Sequence, residues 1–182
     1  LAKNPTVRAV VVRIDSPGGS AVASDLIYRS MRKLASRKPV IASVGNIAAS
    51  GGYYVAAGAD EVFASPNTLT GSIGIFSGKF SIERLADFIG LSAHRLERGE
   101  KSGLFDIYKP WTDAERESVS QSITYLYKLF IQQVARTRPM TAKEVDAVAR
   151  GRIWSGDAAQ ERQLVDHIGG LMEAIERAEE LA

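Results

Sequence analysis

Cysteine is absent from the 182 residues, which excludes disulfides and thiol catalysis and leaves both reducing and oxidising compartments open. Histidine is nearly absent, with only His94 and His167 in the chain. No run approaches the roughly 18 to 20 apolar residues needed to span a bilayer, and no signal-peptide pattern opens the sequence. Charge of one sign is also lacking: 23 Lys and Arg stand against 21 Asp and Glu, a formal net charge of +2. The basic residues are scattered through helical stretches and read as solvated faces, so no nucleic-acid partner is suggested. No His, Cys or carboxylate cluster has metal-ligand spacing, and no glycine motif has the Walker or dinucleotide form. Neither a metal nor a cofactor is implied.

What is present suits one substantial core. A hydrophobic content of 45% over 182 residues supports a single domain covering residues 1–182. Val7 to Ile14 reads as a buried parallel strand and Ala21 to Arg37 as a helix with Ala21, Leu26, Met31 and Leu34 on one face. Pro39 to Val44 is a second strand, completing a βαβ unit. A short helix to about Gly58, a strand at Glu61 to Ala64, and a strand or loop at Gly71 to Phe76 follow. Ser81 to Ile89 is a helix with a Gly90 stop, and Ser92 to Leu96 a strand. From Thr112, a credible N-cap, the apolar stripe Val119, Ile123, Leu126, Phe130 and Val134 predicts a helix of about 25 residues. Pro139 ends it, and Thr141 with Glu144 is a capping-box signature opening a shorter helix. Further helices are expected at Asp157 to Gln163 and Leu171 to Leu181. The Gly-rich, charged stretch Arg98 to Lys109 is a mobile-loop candidate.

Two turns carry the chemistry. Gly45-Asn-Ile-Ala-Ala-Ser50-Gly51-Gly52-Tyr-Tyr54 sets a serine among small residues. Its glycines permit backbone angles and substrate approach that a Cβ would block, ahead of a helix start that favours negative charge. Ser50 is therefore a candidate nucleophile; a tight strand-to-helix turn with an incidental serine is the competing reading. Arg13-Ile-Asp-Ser-Pro-Gly18-Gly19-Ser20 follows the first strand. Ligands collect at the carboxyl ends of strands in open α/β sheets, so amides freed there can meet a scissile carbonyl. An ordinary βα turn is the alternative.

Together with Thr70-Gly71-Ser72-Ile73-Gly74, and on through Gly151-Arg-Ile-Trp-Ser-Gly156 and Leu164-Val-Asp166, these motifs resemble the signal peptide peptidase A family of serine proteases. That family belongs to the ClpP and crotonase-like fold group. The resemblance covers nearly the whole chain. It implies an α/β fold with a parallel β-sheet core built from βαβ units, flanking helices and a helical C-terminal part. It further implies Ser50 as nucleophile, Ser72 as the residue that helps orient a catalytic lysine, and the amides of Gly18, Gly19 and Gly51 as oxyanion donors.

The base is ambiguous. A Ser-His-Asp triad would need His94 or His167 beside Ser50. A lysine whose pKa is lowered by apolar surroundings fits the family better. In its short members that lysine falls at the position held here by Ser102, a departure from the pattern. Lys101 is adjacent, although a one-residue slip usually turns a side chain the other way. In long members the lysine comes from an upstream homologous domain, the arrangement favoured here, partly because the chain opens abruptly at Leu1. Lys79 and Lys109 are weaker candidates.

The expected function is cleavage of signal-peptide remnants and other hydrophobic membrane-associated peptides through an acyl-enzyme. The alternative is a non-catalytic assembly half completed by a neighbouring domain or subunit. Crotonase-type acyl-CoA chemistry shares the fold but leaves the glycine-flanked serine unexplained. The resemblance also implies a homo-oligomeric ring and a bacterial cytoplasmic membrane location, through an anchor outside this sequence. Ala48, Ala49, Ala56 and Ala57 either leave room for small apolar substrate side chains or simply pack a helix on the sheet.

Overall fold

Strand β1, Val10–Ser16, and strand β2, Val40–Ala49, pair in parallel across helix α1, Ala21–Ala35, the βαβ unit the apolar runs predict. The computed structural model describes residues 1–94, 96–99 and 101–182. These divide into two compact units, residues 1–75 with 127–182, and residues 76–126.

The first unit holds a six-stranded sheet in the order β5-β4-β2-β3-β6, with β1 also paired to β2. Here β3 is Glu61–Ala64, β4 Leu69–Gly71, β5 Ile153–Trp154 and β6 His167–Ile168. All pairs are parallel except β4 with β5. Side chains of β2 alternate between faces, as strand geometry dictates. Val40, Ala42 and Val44 enter a large cluster with Tyr28, Met31, Tyr54 and Phe130, whereas Ile41 joins Phe63, Ala174 and Ala178 on the other face. The latter alanines belong to α7, Leu171–Leu181, at the bounds its periodicity predicts. Ser20 caps α1 by accepting from Ala23 N at 3.3 Å. The buried residues of α1 are Ser24, Tyr28 and Met31, and Leu26 is 61% exposed, so the expected apolar face is only partly the buried one.

The short helix α2, Gly51–Ala56, follows β2 directly. Helix α5, Ala142–Val148, carries the full Thr141–Glu144 capping box, and α6 covers Gly156–Glu161. The second unit contains α3, Glu83–Phe88, and residues 113–126 of α4, whose full span is Asp113–Thr137. Thr112 caps α4: its Oγ1 accepts from Glu115 N at 3.2 Å, and Glu115 Oε2 accepts from Thr112 N at 2.8 Å.

The strand expected at Ser92 to Leu96 is not seen at 92–94 or 96, which are exposed and unpaired as strand. A strand needs a neighbouring edge to satisfy its backbone groups, and the described residues of this stretch have none. Its remaining residue, Arg95, lies outside the described residues. No helix among the described residues is long and apolar enough to cross a membrane.

Candidate active site

Three chain segments converge at the carboxyl ends of β1, β2 and β4. The first is the turn after β1, where Gly18 and Gly19 have φ of 107° and 148°, values that glycine alone adopts freely. The Gly18 amide donates to Ser16 Oγ at 3.2 Å. Neither the Gly19 nor the Gly51 amide donates to a group among the described residues.

The second segment is the β2–α2 junction. Ser50 sits there at φ 51°, ψ −119°, a sparsely populated conformation that costs on the order of 1–3 kcal/mol and persists only when its surroundings impose it. Those surroundings are visible. The Ser50 amide donates to Gly71 O at 2.9 Å, and its carbonyl accepts from Tyr54 N at 2.9 Å. A Cβ on Gly18 would lie 2.7 Å from Gly51 N and 2.9 Å from the Ser50 Cβ. One on Gly51 would strike Ser24 Oγ and approach Gly19 N to 3.3 Å, and one on Gly52 would strike the Ser16 carbonyl. Thus Gly18, Gly51 and Gly52 pack around Ser50 with no room for a further carbon, whereas Gly19 faces open space.

The third segment is the β4 end. Ala49 is opposite Gly71 in the parallel ladder, so Ser50 and Ser72 leave neighbouring strands at the same level. Ser72 also has positive φ, 49°, after Gly71 at 85°. Its amide donates to Arg152 O at 2.7 Å. Trp154 covers Gly71, with Cδ1 2.9 Å from where a Cβ would stand, and its indole N–H donates to Val148 O at 3.0 Å.

Beside this group lies an open cleft of about 380 Å³. Val12, Ile14, Ile27 and Val55 supply its apolar lining, and Gly18, Gly19 and Gly51 line it as well. Ala48, Ala49, Ala56 and Ala57 are at most 5% exposed and belong to the core. Packing of helix on sheet, rather than room for substrate, accounts for those alanines.

The helix following Ser50 is tied to α1 through Tyr54, whose hydroxyl donates to Asp25 Oδ1 at 2.9 Å. Burial, and then the Asp25 hydrogen bond, push the Tyr54 phenol well above its ordinary value, so it stays a donor.

The candidate bases are placed differently. His167 Nε2 is 2.8 Å from Glu61 Oε2, and its ring lies 4.5 Å from that of Phe63. Glu61 is opposite Ile41, near the start of β2, and Ser50 follows the end of β2. The sequence-level option of His167 in a triad with Ser50 therefore fails, because the histidine sits at the opposite end of the strand. His94, Lys79, Lys101 and Lys109 belong to the second unit. There Lys101 is exposed in a run of turns, and Ser102 Oγ donates to Gly99 O at 2.8 Å. Lys109 pairs with Glu97 at 3.0 Å, and Lys79 lies 5.7 Å from the Trp111 ring centroid. Of the stretch Arg98 to Lys109, Glu100 lies outside the described residues.

Asp15 accepts from Ile47 N, Thr68 and Thr70 donate to Gly45 O and Ala48 O, and Trp154 covers Gly71, so all four brace the strands that carry the site, a part that the residue pattern does not assign to them. Asp15 stood in view inside the Asp-Ser-Pro-Gly-Gly motif, but its partner lies on another strand.

Residues 32–182 match peptidase family S49. The chain is 42% identical over 96% of its length to the chloroplastic serine protease SPPA of Arabidopsis thaliana, of which it covers 26%. It is 38% identical over 98% of its length to Protease 4 of Salmonella typhi, and 37% identical over 97% to Protease 4 of Haemophilus influenzae, covering 29% of each. The chain thus spans less than a third of the length of these relatives. The matched residues include both the Ser50 and the Ser72 turns, on a mixed α/β fold with a mostly parallel sheet, and the chain belongs to peptidase family S49, the signal peptide peptidase A family.

Proposed function

We propose that this chain is the serine-bearing peptidase domain, residues 1–182, of a signal peptide peptidase that cleaves hydrophobic, membrane-associated peptides such as signal-peptide remnants. One observation supports it most: Ser50 is held at φ 51° against a glycine turn, with the unengaged Gly19 and Gly51 amides beside it. A serine constrained in this way, next to free N–H donors, suits attack on a carbonyl better than it suits a structural turn.

In the mechanism, Ser50 Oγ attacks the scissile carbonyl carbon while a lysine amine takes its proton. The Gly19 and Gly51 amides donate to the resulting oxyanion. Gly18, whose own amide is engaged by Ser16 Oγ, contributes mainly the space that lets them approach. The lysine returns the proton to the leaving amine, an ester forms on Ser50, and water attacking with the same lysine as base releases the acid. Ser72 orients the lysine ammonium through its hydroxyl. The apolar cleft takes an apolar substrate side chain.

The lysine is either Lys101 or one supplied by an upstream homologous domain of a longer, membrane-anchored, oligomeric protein. Ser102 at the expected lysine position favours the second source. The same observation keeps in play the reading of this chain as an assembly half completed by a neighbour. A fluorophosphonate probe applied to the full-length protein tests the proposal. Labelling should map to Ser50, and Ser50→Ala should abolish both labelling and peptide hydrolysis with little change in stability, since one hydroxyl is removed from a small-residue turn. Wild-type hydrolysis by Ser50→Ala would end the assignment.

A further inference from the structure

β1 and β2 pair residue for residue from Val10 opposite Val40 to Ile14 opposite Val44, and then the count breaks, with Ser16 opposite Ala48. Asp15 alone therefore spans Gly45, Asn46 and Ile47. An offset of this size strands backbone groups without ladder partners and loosens register. Side chains fill the gap from both sides. From β1, Asp15 Oδ1 accepts from Ile47 N at 3.1 Å, and its carboxyl carbon lies so close to Gly45 that a Cβ there would be 2.9 Å away. From the other side, buried Thr68 Oγ1 donates to Gly45 O at 2.9 Å and buried Thr70 Oγ1 donates to Ala48 O at 2.8 Å. On the β4 side, Ile47, Ala48 and Ala49 are paired opposite Leu69, Thr70 and Gly71, and the next residue is Ser50. Because strand side chains alternate, the number of residues the offset consumes decides where Ser50 emerges.

We propose that Asp15 is a positioning residue for Ser50. Its carboxylate oxygen replaces the missing ladder acceptor, holds the 45–47 offset and so fixes the level at which the serine leaves the sheet. The inference rests on Ser50 being the nucleophile. Asp15 moves no proton and touches no reacting atom. It acts through the placed acceptor rather than through its charge, so an amide oxygen at the same point does the same work.

The test uses the full-length protein and four readouts: the fluorophosphonate acylation rate, kcat and KM on an apolar peptide, and hydrogen exchange at the Ile47 amide. Asp15→Asn, which keeps the acceptor, should stay within about threefold of wild type, as ordinary exposed substitutions do. Asp15→Ala and Asp15→Glu, which delete or displace it, should lower kcat and acylation about 10²-fold with KM nearly unchanged, the loss expected of a displacement near 1 Å. Ile47 should exchange faster in both. The Glu variant keeps the charge and a full side chain, so the comparison stands even where Asp15→Ala does not fold. Equal losses in Asp15→Asn and Asp15→Ala would overturn the proposal. So would faster Ile47 exchange with kcat intact. Labelling of wild type at a residue other than Ser50 would instead remove the functional reading, and the Ile47 exchange comparison would still report on the hydrogen bond.

Discussion

A Cβ at Gly18 would meet Gly51 N at 2.7 Å, Ala49 O at 2.9 Å and the Ser50 Cβ at 2.9 Å, whereas one at Gly19 would meet nothing within 4 Å. Both positions have positive φ, so any side chain at either suffers backbone strain of roughly 1–3 kcal/mol. Only at Gly18 is overlap with the site added. Gly18→Ala should therefore lower the Ser50 acylation rate much further than Gly19→Ala and destabilise the protein more, as denaturant titration of the two variants would show. Equal effects would mean that strain, not crowding, governs the turn. At this scale Ser50 and the glycines were legible in the sequence, because small residues in a row announce a crowded turn. Asp15 was not, because its meaning depends on Ile47, 32 residues away.

Among the elements, the helices whose ends carry side-chain caps were the most readable. Thr141 and Glu144 satisfy each other's backbone amides locally, and such bonds follow from residue types at fixed spacing. The sequence predicts the second strand to end at Val44, where Gly45 and Asn46 interrupt the apolar run. It continues to Ala49 because Thr68, Thr70 and Asp15 hold the interrupted part. The buried face of α1 depends on its neighbours, with the Tyr28 ring 5.4 Å from Tyr54 and that ring 4.5 Å from Phe130, information that one helix does not contain. The Tyr54–Asp25 bond ties α2 to α1. Tyr54→Phe leaves the rings packed but removes the donor to a carboxylate, a bond worth about 1.5–3 kcal/mol. Chemical denaturation should register a loss near the lower end of that range, since Arg29 also pairs with Asp25. A stability equal to wild type would show that the bond contributes nothing net.

At the scale of the molecule, the ordered series of motifs made the family legible, but the closure of the chain on itself rests on pairs far apart in sequence. Glu61 accepts from Arg177 at 2.9 to 3.2 Å and faces His167 at 2.8 Å. The Arg177 hydrogen bond, chiefly, holds the Glu61 carboxyl below its ordinary 4.5, against the opposing effect of burial. A carboxylate depressed in the folded state contributes stability above its unfolded pKa, and that contribution is lost as the pH falls through the lower folded value. Glu61→Gln should accordingly be less stable than wild type at neutral pH, with the difference shrinking below about 4.5. A gap constant down to strong acid would rule out this linkage. The catalytic base is the part that the sequence of this chain leaves open. Ser102 stands at the position where the resemblance places a lysine, and Lys101, one residue away, is exposed. Removing a general base typically costs about 10²- to 10⁴-fold. The 182-residue chain assayed alone on an apolar peptide should fall below the full-length protein by that order, even with Ser50 and its amides in place. Lys101→Ala should then change little in either form, because a base supplied from another domain does not depend on it. Full activity in the isolated chain that disappears in Lys101→Ala would assign the proton transfer to Lys101 and make this chain sufficient for the chemistry.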